Sequence, residues 1–191
     1  MTLARTARLL LPLSLLAAAT AAWAGPKEDM KAMSVKFLAQ RSYHVRMESS
    51  DKRAGITDMD FVAPDRYRMQ TAQGMQYVIG DTMYMNIGGR SMKVPMPRGA
   101  TTQWRQNDFV FREVDRMQVQ ALGAEAADGK PAKKYRMIAS GKVPTNTLIW
   151  IGADNLPIKL ETTGTYAGRT ITTMIHYSRF NDPAIKVDPP K

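Results

Sequence analysis

Few side chains in this sequence have the chemistry of a catalytic or metal site. The chain of 191 residues contains two histidines, His44 and His176, and no cysteine. Without cysteine, a thiol nucleophile, a thiolate metal site and a disulfide are all excluded. We find no acidic residue at metal-ligand spacing from either histidine in its predicted strand, so a solvated or core histidine is the simpler interpretation of each.

Two aspartates form the other candidate for chemistry. Asp58 and Asp60 are two residues apart and would share one face of a strand, as the paired carboxylates of an acid–base site do. Asp51 and Asp65 lie in the adjacent turns, and an exposed polar face explains all four acids more simply. We therefore predict that the protein is not an enzyme and has no catalytic residue, metal or cofactor.

The first 24 residues have the pattern of a secretory signal peptide. Arg5 and Arg8 form a positive region, Leu9–Leu16 and the following alanines form an apolar region, and Ala22-Trp23-Ala24 matches the small-x-small cleavage pattern. The apolar run is too short for a transmembrane anchor. We predict cleavage after Ala24 and export to the periplasm of a Gram-negative cell.

Residues 25–191 are predicted to form a single domain, because no linker or low-complexity segment divides them. These 167 residues carry a net charge of +8, since Arg5 and Arg8 leave with the first 24 residues of a chain of net charge +10. Nucleic acid is not expected as a partner of an exported protein whose basic residues are scattered. Attraction to an anionic membrane surface stays open as an alternative. We expect a monomer.

The hydrophobic pattern changes from helical to strand-like soon after the cleavage site. Residues 28–40 have apolar side chains on one helical face, including Met33 and Phe37. From Ser42 onwards, short alternating runs are separated by turn residues such as Gly80-Asp81, Gly88-Gly89 and Gly129-Lys130. A second helix is predicted near 107–117, and strands follow near 117–123, 131–139, 146–151, 157–164 and 168–178.

About ten short strands with two helices predict an α+β protein that is mainly β. A strongly curved antiparallel sheet, closed on one side by the helices, satisfies both the alternating strands and the apolar helix face.

Five segments, taken in order, resemble the LolA-like periplasmic lipoprotein carriers and the related outer-membrane lipoprotein-sorting proteins. After the N-terminal helix come "SYHVRMESSD", "FVAPDRYRMQT" with its x-Pro turn, "YVIGDTMYMNIGG", the Trp-containing hairpin "LIWIGADNLPIKLE", and the closing segment "YSRFNDPAIKVDPP". The resemblance implies an incomplete antiparallel β-barrel with helices as a lid, a hydrophobic cavity for acyl chains, and no catalytic residues. It also implies membrane-anchored delivery or acceptor proteins as partners.

One position departs from the family pattern. The lipoprotein carriers have an arginine directly before the proline of the x-Pro turn, where it is tied to lid closure and ligand release. Ala63 occupies that position here, and the nearest basic residues are Arg66 and Arg68. A relative that binds another lipid, or that lacks a coupled release step, fits the sequence equally well.

Thirteen of the 14 methionines remain after the first 24 residues are removed, many of them at alternating strand positions. Because methionine is flexible and polarizable, a surface rich in it can adapt to ligands of irregular shape. We predict a cavity lined by Met33, Phe37, Met47, Met59, Phe61, Tyr67, Met69, Met83 and Met85. Arg66, Arg68 and Arg90 are predicted to lie at its rim, near a lipid headgroup.

The sequence therefore predicts a non-enzymatic periplasmic carrier or binder of lipid or lipidated protein, in outer-membrane lipoprotein sorting or a related task. The alternative is an envelope interaction or scaffold module that has the same fold but no lipid cargo.

Overall fold

The computed structural model describes residues 25–87, 90–139 and 144–190. The predicted signal peptide and the turn predicted at Gly88-Gly89 lie outside this part of the chain. Within it, neither helix has the length and apolar content needed to cross a lipid bilayer.

The described residues form two helices, a short 3-10 helix and eleven strands. The helices are α1 (Pro26–Leu38) and α2 (Asn107–Arg116), and the 3-10 helix is Gln103–Arg105. The first six strands are β1 (Ser42–Ser49), β2 (Ile56–Val62), β3 (Arg66–Thr71), β4 (Gly74–Ile79), β5 (Thr82–Ile87) and β6 (Arg90–Pro95). The last five are β7 (Gln118–Ala127), β8 (Lys130–Ala139), β9 (Thr145–Gly152), β10 (Pro157–Tyr166) and β11 (Arg169–Ser178).

All eleven strands belong to one antiparallel sheet. Their order is β6-β5-β4-β3-β2-β1-β11-β10-β9-β8-β7, so nearly every strand pairs with its neighbour in sequence and β1 pairs with β11 in the middle. The strands β6 and β7 form the two edges of an unclosed sheet. The predicted fold class, a mainly β protein with a curved antiparallel sheet and two helices, is confirmed.

The first helix forms where the sequence favours it. Pro26 occupies the first turn, where its missing N–H is not needed, and Glu28 and Asp29 suit the positive end of the helix dipole. Its inner face buries Met30 completely, and Met30 packs with Val114 of α2 and with Tyr135 and Ile149 of the sheet.

Polar contacts fix this helix against its neighbours. Tyr135, which is buried in β8, donates a hydrogen bond of 2.6 Å from its hydroxyl to Asp29 Oδ2. Lys31 Nζ lies 2.7 Å from Asp115 Oδ1 of α2. The two helices therefore pack as a pair on the β7–β9 side of the sheet.

The C-terminal segment that starts at Tyr177 does not form the closing strand that the family resemblance implies. Only Tyr177 and Ser178 of that segment belong to a strand, and residues 179–190 are irregular. Three prolines in this tail have no N–H to give to a ladder. The tail is nevertheless fixed, because Asn181 hydrogen-bonds the backbone of Arg41 and Ser42, and Ile185 and Val187 are buried.

Replacing Met30 with alanine tests how much the helix–sheet contact stabilises the fold. Because Met30 is 0% exposed, the Met30→Ala change should lower the free energy of unfolding by about 2–5 kcal/mol. The matched change Met92→Ala, at a methionine that is 47% exposed, should alter it by no more than about 0.5 kcal/mol. Urea denaturation followed by circular dichroism measures both. Equal losses in the two variants would contradict this description of the core.

Candidate functional site

Two rows of side chains, apolar except for Gln76, lie across strands β1–β6 on the side of the sheet that faces α1. The strand registers from β1 to β6 define both rows. The first row is Tyr43, Phe61, Tyr67, Val78, Met83 and Val94. The second row is Val45, Met59, Met69, Gln76, Met85 and Met92. Alternation along each strand keeps both rows on one face, which we call the inner face.

The residues of these rows are most exposed at the β6 edge of the sheet. In the middle of the sheet, Phe61 is 0% and Val45 is 2% exposed, whereas Met92 at the β6 edge is 47% exposed. We call the partly exposed outer part of the rows, Met59, Met69, Met83, Met85 and Met92, the methionine surface. These methionines form an apolar surface that begins in the core and ends in solvent, and Gln76 is the polar residue between Met69 and Met85.

The buried end of the rows is an aromatic cluster. Phe37 of α1 packs on Tyr43 with a ring-centroid distance of 4.8 Å, Tyr43 packs on Phe61 at 4.7 Å, and Phe61 packs on Tyr67 at 5.0 Å. Tyr177 joins from β11, 5.4 Å from Phe37. Aromatic pairs at these distances add to the stability that burial alone provides.

Burial keeps the phenols of this cluster neutral. Desolvation raises the pKa of Tyr177 to about 12, and it also raises the pKa of Tyr43 and Tyr67. The nearby Arg105 opposes the rise at Tyr43 and Tyr67 without cancelling it. The cluster therefore carries no negative charge at physiological pH.

One cation enters the aromatic cluster. The Arg105 guanidinium, from the 3-10 helix, lies 4.1 Å from the centre of the Phe61 ring. Its Nη2 donates a hydrogen bond of 2.8 Å to the Leu38 carbonyl at the end of α1, and its Nη1 donates one of 3.4 Å to the Tyr43 hydroxyl. Arg105 thus connects the segment before α2, the end of α1 and the sheet.

The sequence did not single out Arg105. It is one of 27 basic residues and lies in a segment with no clear period, so only the tertiary structure brings it to the ring. Ala63, the residue before the proline of the x-Pro turn, packs against the same aromatic cluster.

Seven of the nine predicted lining residues lie on the inner face of the sheet, and the other two, Met33 and Phe37, lie on α1, which covers that face. Phe37, Met47, Met59, Phe61 and Tyr67 belong to the aromatic cluster or pack against it. Met69, Met83 and Met85 continue the rows outward, and Met33 packs in the neighbouring cluster around Met30. Their proximity to one another is a property of the structure, and their contact with a ligand remains a prediction.

The three arginines predicted at the rim lie on different faces of the sheet. Arg90 lies on the inner face at the start of β6, two residues before Met92, and is exposed. Arg66 and Arg68 lie on the opposite face, which we call the outer face. There Arg66 Nη1 donates a hydrogen bond of 3.3 Å to the Val187 carbonyl, and Arg68 pairs with Asp60. Only Arg90 is placed beside the methionine surface.

Two expectations, that Asp60 is exposed and that neither histidine has an acidic partner, are wrong. Asp60 is 6% exposed rather than part of an exposed face, and His44 Nδ1 lies 2.8 Å from Asp60 Oδ1. His176 is also paired, with its Nδ1 2.8 Å from Asp128 Oδ2. Sequence spacing missed both pairs because the partners come from other strands or turns. Among the described residues, no group of three or more potential ligands could hold a metal ion.

The pairing around Asp60 explains how a buried carboxylate is tolerated. Burial on its own raises the pKa of Asp60, but the hydrogen bonds and charges of His44 and Arg68 outweigh it and hold the pKa below its usual value. The arrangement stabilises the fold and leaves Arg68 engaged away from the inner face.

The sequence matches no protein-family model and no curated protein. Solved structures do match the fold. The Mycobacterium tuberculosis lipoprotein LppX aligns over 85% of this chain and 97% of its own, with 14% identity and a TM-score of 0.61. LprF from Mycobacterium bovis aligns over 86% and 96%, with 14% identity and a TM-score of 0.60.

What this chain shares with these proteins is the fold. The MucA/MucB complex of Pseudomonas aeruginosa also matches, over 81% of this chain and 57% of that chain, with 12% identity and a TM-score of 0.51. The architecture implied by the resemblance to LolA-like carriers, an open antiparallel sheet with helices on one side, is the architecture observed.

Replacing Asp60 with asparagine should change how stability depends on pH. Because the folded pKa of Asp60 is lowered, its contribution is present above the unfolded pKa of about 3.9 and is lost as the pH falls through the folded value. The Asp60→Asn variant should therefore be less stable than the wild type at neutral pH and lose less stability on acidification below about pH 4. Urea denaturation between neutral and acidic pH measures this, and parallel curves for the two proteins would refute it.

Removing the Arg105 side chain should loosen the junction of the helices and the sheet. The Arg105→Ala variant should lose about 1–3 kcal/mol of unfolding free energy, because it loses the ring contact and leaves the Leu38 carbonyl without its donor. The unfolding free energy of Arg105→Lys should lie between those of the wild type and Arg105→Ala, since an ammonium cannot make the forked contact.

The matched control for Arg105 is Arg98→Ala, at an exposed arginine in the same connection between β6 and α2. It should change the unfolding free energy by less than about 0.5 kcal/mol in the same urea denaturation experiment. An Arg105→Ala variant as stable as Arg98→Ala would show that Arg105 does not hold the helices.

Proposed function

We propose that this protein is an exported, non-enzymatic carrier or binder of lipid acyl chains or lipidated proteins. The methionine surface carries the proposal, because it consists of apolar side chains and is partly exposed between the core and the β6 edge. Methionine side chains adapt to the shape of a flexible ligand, as an acyl chain requires.

Hydrophobic transfer is strong enough to bind such a ligand without a specific polar contact. Each methylene removed from water contributes about 0.8 kcal/mol, so most of one acyl chain supplies roughly 8–10 kcal/mol before the cost of ordering. Arg90, at the outer end of the surface, would meet an anionic headgroup. The proposed binding surface comprises the methionine surface with Arg90 at its end.

The proposal also includes export of the protein and exchange of its cargo. The predicted signal peptide, with cleavage after Ala24, would deliver the protein to the periplasm, where it would act as a monomer and exchange cargo with membrane-anchored proteins. The fold shared with the lipoprotein LppX supports this assignment. The intact mass of protein purified from the periplasm tests the cleavage site, because it should correspond to a chain that starts at Gly25.

An envelope interaction module on the same fold is the second candidate. Two observations favour it: the aromatic cluster already occupies the inner face near β1 and β2, and the MucA/MucB structure is a complex between two proteins. The two candidates differ in whether the methionine surface holds a lipid.

Mass spectrometry of solvent extracts distinguishes them. The protein is purified from a periplasm without detergent, and the extract should contain phospholipid or acylated peptide in about one-to-one ratio. The Met83→Asp/Met85→Asp variant should lose this cargo, because two carboxylates on the inner face oppose burial of an acyl chain.

The control variant carries the same changes on the outer face. Met75→Asp/Met174→Asp replaces two partly buried methionines that the registers place on that face, and it should keep the cargo. Circular dichroism confirms that each variant is folded. A clean extract from folded wild-type protein that also excludes an added fluorescent fatty acid would refute lipid binding and favour the interaction module.

A further inference from the structure

The two edges of the sheet differ in how they are protected. At one edge, β6 contains Arg90, Lys93 and Pro95, and charge and proline both discourage another strand from pairing there. At the other edge, β7 contains no proline and no basic residue, and Glu125 is its single charged side chain. Among the described residues, no strand pairs with the outer side of β7.

The exposed part of β7 is long and lined by small side chains. Every residue from Gln120 to Ala126 is exposed, and this stretch includes Ala121, Gly123 and Ala124. In an antiparallel edge strand, every second residue directs its N–H and C=O away from the sheet. The bulge between Ala121 and Gly123 interrupts this alternation, so the regular stretch that an added strand would complete is Gly123–Ala127, which has no partner strand among the described residues.

The charge beside this edge is positive. Glu125 is already engaged, because its Oε2 lies 2.7 Å from Lys134 Nζ and its Oε1 accepts a hydrogen bond of 3.3 Å from the Trp150 indole. Lys130 and Lys133 are exposed and form no ion pair with any described residue. Lys133 lies directly opposite Ala124, whose methyl group leaves the long lysine side chain room to extend over the edge.

A shallow depression lies along the same edge. It has a volume of about 330 Å³ and is lined by Ala124, Glu125, Ala126, Gly129, Pro131 and Ala132. Most of these side chains are small or apolar, so the depression suits one apolar side chain of a strand that pairs with β7. The depression, the free edge and the two unpaired lysines lie within one hairpin.

We propose that β7 binds an extended acidic peptide segment of a partner protein as a twelfth strand. Main-chain hydrogen bonds would supply affinity, as in other cases of strand addition, and carboxylates of the segment would meet Lys130 and Lys133. A second copy of this chain is disfavoured at this position, because pairing β7 with β7 would bring the lysines of both copies close together. This site is separate from the methionine surface and does not depend on lipid binding.

Titration with a short blocked peptide of alternating glutamate and valine tests the proposal. The peptide should bind more tightly than its counterpart with lysine in place of glutamate. Fluorescence anisotropy measures the affinity, and amide hydrogen exchange should show new protection in β7 and none in β6.

Two sets of variants identify the surface. Lys130→Glu/Lys133→Glu should weaken binding of the acidic peptide by about tenfold, whereas the matched change Lys52→Glu/Lys186→Glu, at exposed lysines elsewhere, should leave it within about twofold. Leu122→Pro should also weaken binding, because proline on an edge strand discourages pairing with another strand. Leu122 lies at the bulge between Ala121 and Gly123 and has no register partner in β8.

Three results would overturn the proposal. The first is no binding of the acidic peptide to wild-type protein, and the second is binding without new protection of the β7 amides. The third is an equal loss of affinity in both double-lysine variants, which would indicate attraction to the overall positive charge. Circular dichroism shows that the variants remain folded, and lipid content measured on the same samples keeps this test separate from that of lipid binding.

Discussion

The inner face of the sheet is larger than the two helices that cover it. Eleven strands spaced about 4.8 Å apart extend about 48 Å across the sheet, whereas a helix of 13 residues is about 20 Å long. The helices pack where the contacts are richest, over Tyr135 and Ile149 on the β7–β9 side. Val78 of β4 is buried, but the methionines of β3, β5 and β6 on this face are left partly exposed, and this mismatch creates the methionine surface.

The junction between the covered and uncovered parts is held by aromatic rings and one cation. Phe37, Tyr43 and Phe61 join α1 to β1 and β2, and Arg105 links the same rings to the end of α1. Because Arg105 belongs to the connection between β6 and α2, it joins that connection to the end of α1 and to the sheet.

Much of the fold could be predicted because strand alternation and helical periodicity depend on residues that are close together in the sequence. Alternation along β2 puts Met59 and Phe61 on one face of the sheet, and the strands and second helix near 107–117 appear close to their predicted bounds. The candidate lining residues followed from the same alternation. Long-range pairing could not be predicted. Asp60 is buried and paired with His44 and Arg68, which lie on neighbouring strands. Neither pair follows from the spacing of these residues in the sequence.

The sequence by itself determined the alternating strands, the two amphipathic helices, the excess of methionine and the absence of cysteine, because each follows from residue type and local period. Tertiary structure decided which apolar residues became core and which remained exposed. It also placed Arg90 on the inner face and Arg66 and Arg68 on the outer one, and brought Arg105 to Phe61. The physical reason is that burial and charge pairing depend on which strands become neighbours, and the pairing of β1 with β11 joins residues more than 120 positions apart.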